Sequence, residues 1–414
     1  MIVNITIVIL FLLLAYAPYI LLVVSGSALI IISTVKYKQG NENYFIIFAT
    51  LYTLSIIVYT LSVPNFLVSS DDFTTYYNNY VGMISGDFYN SISEFGFEIG
   101  LPILNYFLSI FSNLQYPYIF KLYHSVLNFI ILSILLVYVR KNTSMSVKEF
   151  FVFSCFILIL FKLPQQLHLM RQGYASYFIL FALFSKYRYQ RCLFLTVASI
   201  FHLSALIIYP FFFFLTKVNS KKQFYFFIIV FFSVLVLLSV LVSSGIFFDI
   251  PLVNKLNFII GYIDSEEHVN RTLSEVLKAL MYFYPLAFFS IIYWFKSIKC
   301  DESYFVYLSI LFLLIFSVIP GFGLRVYMPY MSIFLGYYYY KYFCERGFSV
   351  LVFMFIFLFL ILNINWLVNS ELFFYNYPIF SSEPFYYIDS WMKEVGEVCR
   401  ECLPYNYNFD NKFK

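Results

Sequence analysis

The chain has 414 residues, 62% of them hydrophobic and only 12% charged, with a formal net charge of +4 and a mean hydropathy of +0.81. An average soluble domain carries about 25% charged residues, and a water-soluble fold of this length has more surface than so few charges can cover. Soluble, fibrous, disordered and disulfide-scaffold classes are excluded, and the chain reads as an all-α polytopic membrane protein.

A helix crosses a bilayer with about 20 apolar residues. In chain order, that length is met by 5–27, 43–63, 118–139, 224–247, 276–295 and 348–368. Shorter apolar runs occupy 150–163, 174–185, 304–319 and 326–340, and the run 192–215 is interrupted by His202 and Pro210. The count comes to about ten or eleven spans. The N-terminus shows no basic region and no small-residue cleavage site, so a removed signal peptide is not expected. Tyr (40) and Phe (55) dominate the aromatic content, which suits lipid-facing packing and interface belts.

Basic residues gather in short loops: Lys36 and Lys38; Arg140, Lys141 and Lys148; Lys186, Arg188 and Arg191; Lys217, Lys221 and Lys222; Lys296 and Lys299; Lys341 and Arg346. Such loops mark the cytoplasmic side, so the positive charge is a topology signal and no nucleic-acid partner is expected. The non-cytoplasmic side receives 64–117, 248–275, the stretch from Gly321 to Arg325 and the tail 369–414, leaving 1–368 as one transmembrane domain. Parity then predicts that 99–115 is interfacial or re-entrant. It also leaves two readings of 150–215: a hairpin between Arg191 and Lys217, or a single crossing broken around Pro164 to Arg171. Irregular backbone at membrane depth survives only where it is buried in protein or lines a cavity, so a functional cavity is expected near this region.

Four clusters carry candidate chemistry. The loop 64–98 holds Asp71, Asp72, Asp87, Glu94 and Glu98 without one Lys or Arg, interleaved with Tyr76, Tyr77 and Tyr80. A solvated loop would explain it, yet acids contribute little to topology, and tyrosine beside carboxylate suits a sugar. The second cluster runs from Pro164 to Gly173 and contains His168, Arg171 and Gln172. An arginine there is costly unless it meets an anion, and its planar fork matches phosphate oxygens; snorkelling to head groups is the bland alternative. The third is His202 in an apolar segment, either a structural residue or a base. The fourth is Gly321-Phe322-Gly323-Leu324-Arg325, a tight turn opening a helix, where backbone amides and one arginine make an anion site. No P-loop, H-E-x-x-H or G-x-S-x-G pattern occurs. Cys399 and Cys402 stand alone without a second pair or a nearby histidine, so no metal site is expected.

The run Met170-Arg171-Gln172-Gly173-Tyr174-Ala175, followed by Ala198-Ser199-Ile200-Phe201-His202-Leu203-Ser204-Ala205, resembles the EpsG family of polysaccharide polymerases, Wzy-type membrane enzymes of exopolysaccharide, capsule and O-antigen synthesis. Asp72 to Tyr76, with Phe97-Glu98-Ile99-Gly100 after it, is similar to the family's acidic external stretch, and Arg325 with Tyr327 and Tyr330 looks like its R-x-x-Y helix. The resemblance implies a GT-C-like transferase in the bacterial cytoplasmic membrane, with its active site on the non-cytoplasmic face. Its donor and acceptor would both be polyprenyl-diphosphate-linked oligosaccharides, with a chain-length regulator as a candidate protein partner. No cofactor or metal is implied, because the donor carries the energy. Asp72, Glu98 and His202 become candidate catalytic groups, and Arg171, Gln172, Arg325, Tyr76, His168 and Tyr327 candidate substrate-binding ones. A lipid-linked oligosaccharide flippase, an O-antigen ligase and an O-acyltransferase are the competing readings. The flippase is disfavoured because the two halves show no internal repeat.

Overall fold

The computed structural model describes residues 9–10, 12–34, 41–62, 72–111, 116–243, 302–316 and 349–369, with the single positions 326, 337 and 340. All regular structure among the described residues is helical, and the backbone groups into two compact units, Met1–Ile207 with Pro329–Lys414, and Ile208–Met328. The expected spans 276–295 and 326–340, the turn at Gly321 and the tail from 370 lie outside the described residues.

The first unit begins with α1 (Pro18–Thr34) and α2 (Asn41–Ser62), which pack on each other. A span over 5–27 was expected. The helix instead restarts at Pro18, because proline supplies no N–H to continue the ladder, and runs on to Thr34. Three short helices follow α2 in the described chain: α3 (Asp72–Ile84), α4 (Phe88–Ser93) and α5 (Gly100–Phe111). α3 packs along α5, and the stretch expected to be interfacial or re-entrant is a single 12-residue helix.

The next helix, α6 (Pro117–Thr143), starts on a proline in its first turn and stops at Ser144, whose left-handed φ of 57° ends the ladder. α7 (Val147–Leu160) opens with a capping box, in which the Glu149 amide donates to Ser146 Oγ and the Ser146 amide to Glu149 Oε2. Beyond it the chain is broken twice. Helix α8 (Leu163–His168) is only six residues long, Leu169 interrupts it, and α9 (Met170–Phe184) follows. α10 (Arg188–Phe201) and α11 (Ala205–Leu215) are likewise separated, at His202-Leu203-Ser204. The region 150–215 is thus interrupted at both places that parity marked as alternatives. α9 packs against α6 and α10, and α14 (Ser349–Asn369) packs against α1 and α7.

In the second unit, α12 (Lys221–Ser243) and α13 (Glu302–Phe316) are zipped by aromatic edges. Phe312 meets Phe227 and Phe231 at centroid separations of 5.6 and 4.3 Å, and Phe224 meets Tyr304 at 5.8 Å.

Among the described residues, two helices, Glu42–Leu61 and Pro117–Thr143, are long and apolar enough to cross a bilayer, and shorter apolar helices accompany them. Polarity along α6 is inverted relative to a soluble helix. Lys121, His124, Ser125 and Asn128 are buried, whereas Val126, Ile130, Ile134 and Val137 are exposed. Polar side chains facing the bundle and apolar ones facing outward is the arrangement hydrocarbon imposes. The chain is a helical membrane protein.

Candidate functional site

Glu98 sits in the turn just before α5, and its carboxylate joins two distant segments. Arg171 Nη1, in the first turn of α9, donates to Glu98 Oε2 at 2.6 Å. On the other oxygen, His202 Nδ1 lies 2.8 Å from Oε1, and the Leu203 amide donates to the same atom at 2.9 Å. The break between α10 and α11 creates this second half. The His202 amide still bonds within α10, but the Leu203 amide, just ahead of the start of α11, has no carbonyl within a helix to reach, and Glu98 supplies its acceptor.

The approach is close because of two glycines. A Cβ on Gly100 would stand 2.8 Å from the ring and 3.0 Å from the Cα of Phe201, so only glycine lets the start of α5 meet the end of α10. A Cβ on Gly173 would collide with the Gln166 side chain, so Gly173 permits α8 to fold against α9.

Partial burial strengthens these contacts. The Glu98 and Arg171 side chains are 10% and 27% exposed. Burial alone would raise the Glu98 pKa. The His202 hydrogen bond, the Leu203 amide and the charges of His202 and Arg171 outweigh it and hold the carboxyl below its ordinary range. Glu98 is therefore a fixed anion whose oxygens are already engaged.

The other edge of Arg171 lies among aromatic rings. Its guanidinium carbon is 4.5 Å from the Phe95 ring centroid and 5.7 Å from that of Tyr76, within cation–π range. Tyr76 and Asp72, both on α3, also act electrostatically on Arg171. Arg171 Nε is buried and has no hydrogen-bond partner among the described residues. Next to it, Gln172 Oε1 accepts from Ser204 Oγ at 3.0 Å, a second tie between α9 and the break after α10.

A ring nitrogen 2.8 Å from a carboxylate oxygen carries the proton, which fixes the His202 tautomer. Ser204 N–H lies 3.4 Å from the same nitrogen, a longer and weaker contact than the one to the carboxylate. In the neutral ring the lone pair then sits on Nε2, which makes no hydrogen bond to any described residue. A carboxylate behind one imidazole nitrogen and an unpartnered second nitrogen is the layout of an oriented general base.

Of the residues picked from sequence, the structure brings together Glu98, Arg171, His202 and Gln172, with Tyr76 and Asp72 beside them. His168 ends α8 and is not among the groups that bond Glu98. Arg325 and Tyr327 lie outside the described residues. Sequence reasoning passed over Phe95, which stacks on Arg171, and a buried set comprising Asn79, Asn105, His124, Asn128, Tyr174 and Tyr177. The signal was present in Lys121, His124, Ser125 and Asn128, which recur at three- and four-residue spacing through an apolar run.

Neither curated proteins nor solved structures give a match to this chain. A protein-family profile described as EpsG family matches residues 49–379. That stretch covers well over half of the chain and contains Glu98, Arg171, Gln172 and His202, so the chain belongs to the EpsG family, whose members are polysaccharide polymerases of glycosyltransferase character.

Proposed function

We propose that this protein polymerises polyprenyl-diphosphate-linked oligosaccharide repeat units at the non-cytoplasmic face of the bacterial cytoplasmic membrane, as a multi-pass, GT-C-like, metal-independent glycosyltransferase. The observation that carries the reading is the single Glu98 carboxylate shared by Arg171 and His202.

The reaction joins an acceptor hydroxyl to the anomeric carbon of the donor glycan and breaks that carbon's bond to the diphosphate oxygen. The leaving polyprenyl diphosphate takes the electron pair, so its negative charge grows in the transition state. Arg171 is the cation for that charge, and donors aimed at developing charge are usually the largest catalytic contribution. The acceptor proton goes to His202 Nε2. Glu98, an engaged anion with a lowered pKa, orients the imidazole and stabilises the imidazolium that forms. Asp72 and Tyr76 bind sugar hydroxyls and rings beside Arg171, and Gln172, with His168 at the end of α8, is assigned to substrate binding. Arg325 and Tyr327 are proposed as a second contact to the diphosphate. Capsule, exopolysaccharide or O-antigen would be the product class, with a chain-length regulator as a protein partner.

The test is the glycan profile of a strain lacking the gene, beside strains complemented with Arg171→Ala or Arg171→Lys. Single repeat units at the outer face without long polymer are expected in all three. Arg171→Lys should fail nearly as badly as Arg171→Ala, since a point charge does not replace the planar fork. Lipid-linked units trapped inside would instead assign a flippase, and near-normal polymer from Arg171→Ala would remove Arg171 from the site.

A further inference from the structure

Beneath the Glu98 cluster lies a chain of neutral polar side chains whose hydrogen-bond directions can all be deduced. Asn79 Nδ2 faces the Ser91 carbonyl and Glu94 Oε2, each at 2.7 Å, and both can only accept. Asn79 Oδ1 therefore points the other way and accepts from Asn105 Nδ2 at 2.9 Å. Asn105 Nδ2 also lies 3.4 Å from the Tyr76 carbonyl, which leaves Asn105 Oδ1 to face His124 Nε2 at 3.1 Å. That nitrogen must carry the proton. His124 Nδ1 then accepts from the Tyr174 hydroxyl at 2.8 Å. Asn128 Nδ2 is fixed by the His124 carbonyl at 2.7 Å and reaches Tyr174 Oη at 3.4 Å, while Asn128 Oδ1 accepts from the Tyr177 hydroxyl at 2.9 Å. From Tyr177 to Glu94 every link donates in the same sense, and the last acceptor is a carboxylate.

All of these side chains except Glu94 are buried. Buried amides, phenols and imidazoles are costly unless each is satisfied, and satisfied networks impose one arrangement on the elements they join. This one touches the site at three points. Glu94 precedes Phe95, on which Arg171 stacks. Asn105 holds the backbone of Tyr76. Tyr174 lies three residues beyond Arg171 on α9, near the same helical face.

We propose that this one-way chain is a positioning relay that sets Arg171, Phe95 and Glu98 in register, with His124 as its central residue. The proposal rests on the functional reading above for its catalytic consequence, but its geometric part stands separately. His124 works there as a neutral group with one donor and one acceptor on opposite sides. Glutamine offers the same pair, an acceptor for Tyr174 and a donor for Asn105, whereas leucine offers neither.

The experiment uses the full chain in lipid nanodiscs, with hydrogen–deuterium exchange read over residues 94–100 and 169–175, and polymer formation read in complemented cells. His124→Leu should raise exchange over 94–100 by about tenfold or more as the loop opens locally. It should also lower polymer formation by about 10²-fold, the cost of a displacement near 1 Å at a reacting centre. His124→Gln should restore both. Tyr138→Phe is the control: it removes hydrogen bonds to Ser185 and Gln190 at the other end of α9 and should change neither. If His124→Leu fails to fold, Tyr177→Phe removes only the first donor and should give the same pattern, reduced in size. Glutamine behaving like leucine, or unchanged exchange over 94–100 in the leucine or phenylalanine variant, would overturn the relay. Should the wild-type chain make no polymer at all, the enzymatic reading falls while the exchange result still decides the relay.

Discussion

The protein holds two imidazoles in opposite settings. His202 sits at a helix break, partly exposed, with one nitrogen on a carboxylate and the other without a partner among the described residues. His124 sits in the middle of an unbroken helix, fully buried, with both nitrogens engaged by neutral partners. The comparison teaches that reactivity here comes from what the backbone leaves unsatisfied. A break supplies free amides, an anion to meet them and access to the outside, whereas an intact helix in hydrocarbon must satisfy every polar group internally.

Three substitutions sharpen that contrast. The largest effect is expected from His202→Ala, which removes the proposed base and should lower the rate of polymer formation by about 10²–10⁴-fold. The rate should be followed on lipid-linked substrate by gel separation of product lengths, with substrate binding retained. An unchanged rate would leave His202 as structural as His124.

Glu98→Gln comes next. It keeps the shape but removes the charge shared by Arg171 and His202, and a decrease of about 10²-fold is expected from misorientation of both. The same variant has a signature in stability. Because the folded-state pKa of Glu98 is held below its unfolded value, its contribution is present above the ordinary carboxylate range. It is lost as pH falls through the depressed folded value. Thermal unfolding from pH 7 downward should show a steeper acid loss for the native chain than for Glu98→Gln. Parallel curves would mean that the carboxylate is not held as the geometry implies.

The smallest effect is expected from Gly100→Ala. The added methyl group must push the start of α5 away from Phe201, and overpacking of this kind costs about 1–3 kcal/mol. Melting temperature should drop, and activity should fall with it because the Glu98 turn moves. A variant as stable and active as the native chain would show that the close approach is dispensable.

Composition alone sets the membrane class, since no arrangement of this chain could hide so much apolar surface in water. Apolar run length places the helices at 41–62, 117–143, 221–243 and 349–369 to within a few residues. Local chemistry also marks the irregular places, where Pro164 and the His202 segment interrupt apolar runs. Arg171, Gln172 and His202 are legible as individual residues because charged and polar groups are expensive within apolar runs, and Glu98 because its loop holds five acids without one Lys or Arg.

What only the tertiary structure decides is how they combine. Glu98 is 73 residues from Arg171 and more than 100 from His202, and nothing local indicates that one carboxylate serves both. Whether Glu98 is a base or an orienting anion depends on donors brought from α9 and from the α10 break. The relay was equally hidden, because an asparagine or histidine inside an apolar run has no assigned direction until its partners are placed. Hydrophobic periodicity is a property of short windows, whereas hydrogen-bond direction and a shared carboxylate arise from segments far apart in the chain. For that reason the sequence determines that this is a helical membrane protein and where its helices run. The packing of those helices decides which of its polar residues form the candidate site and which hold it in place.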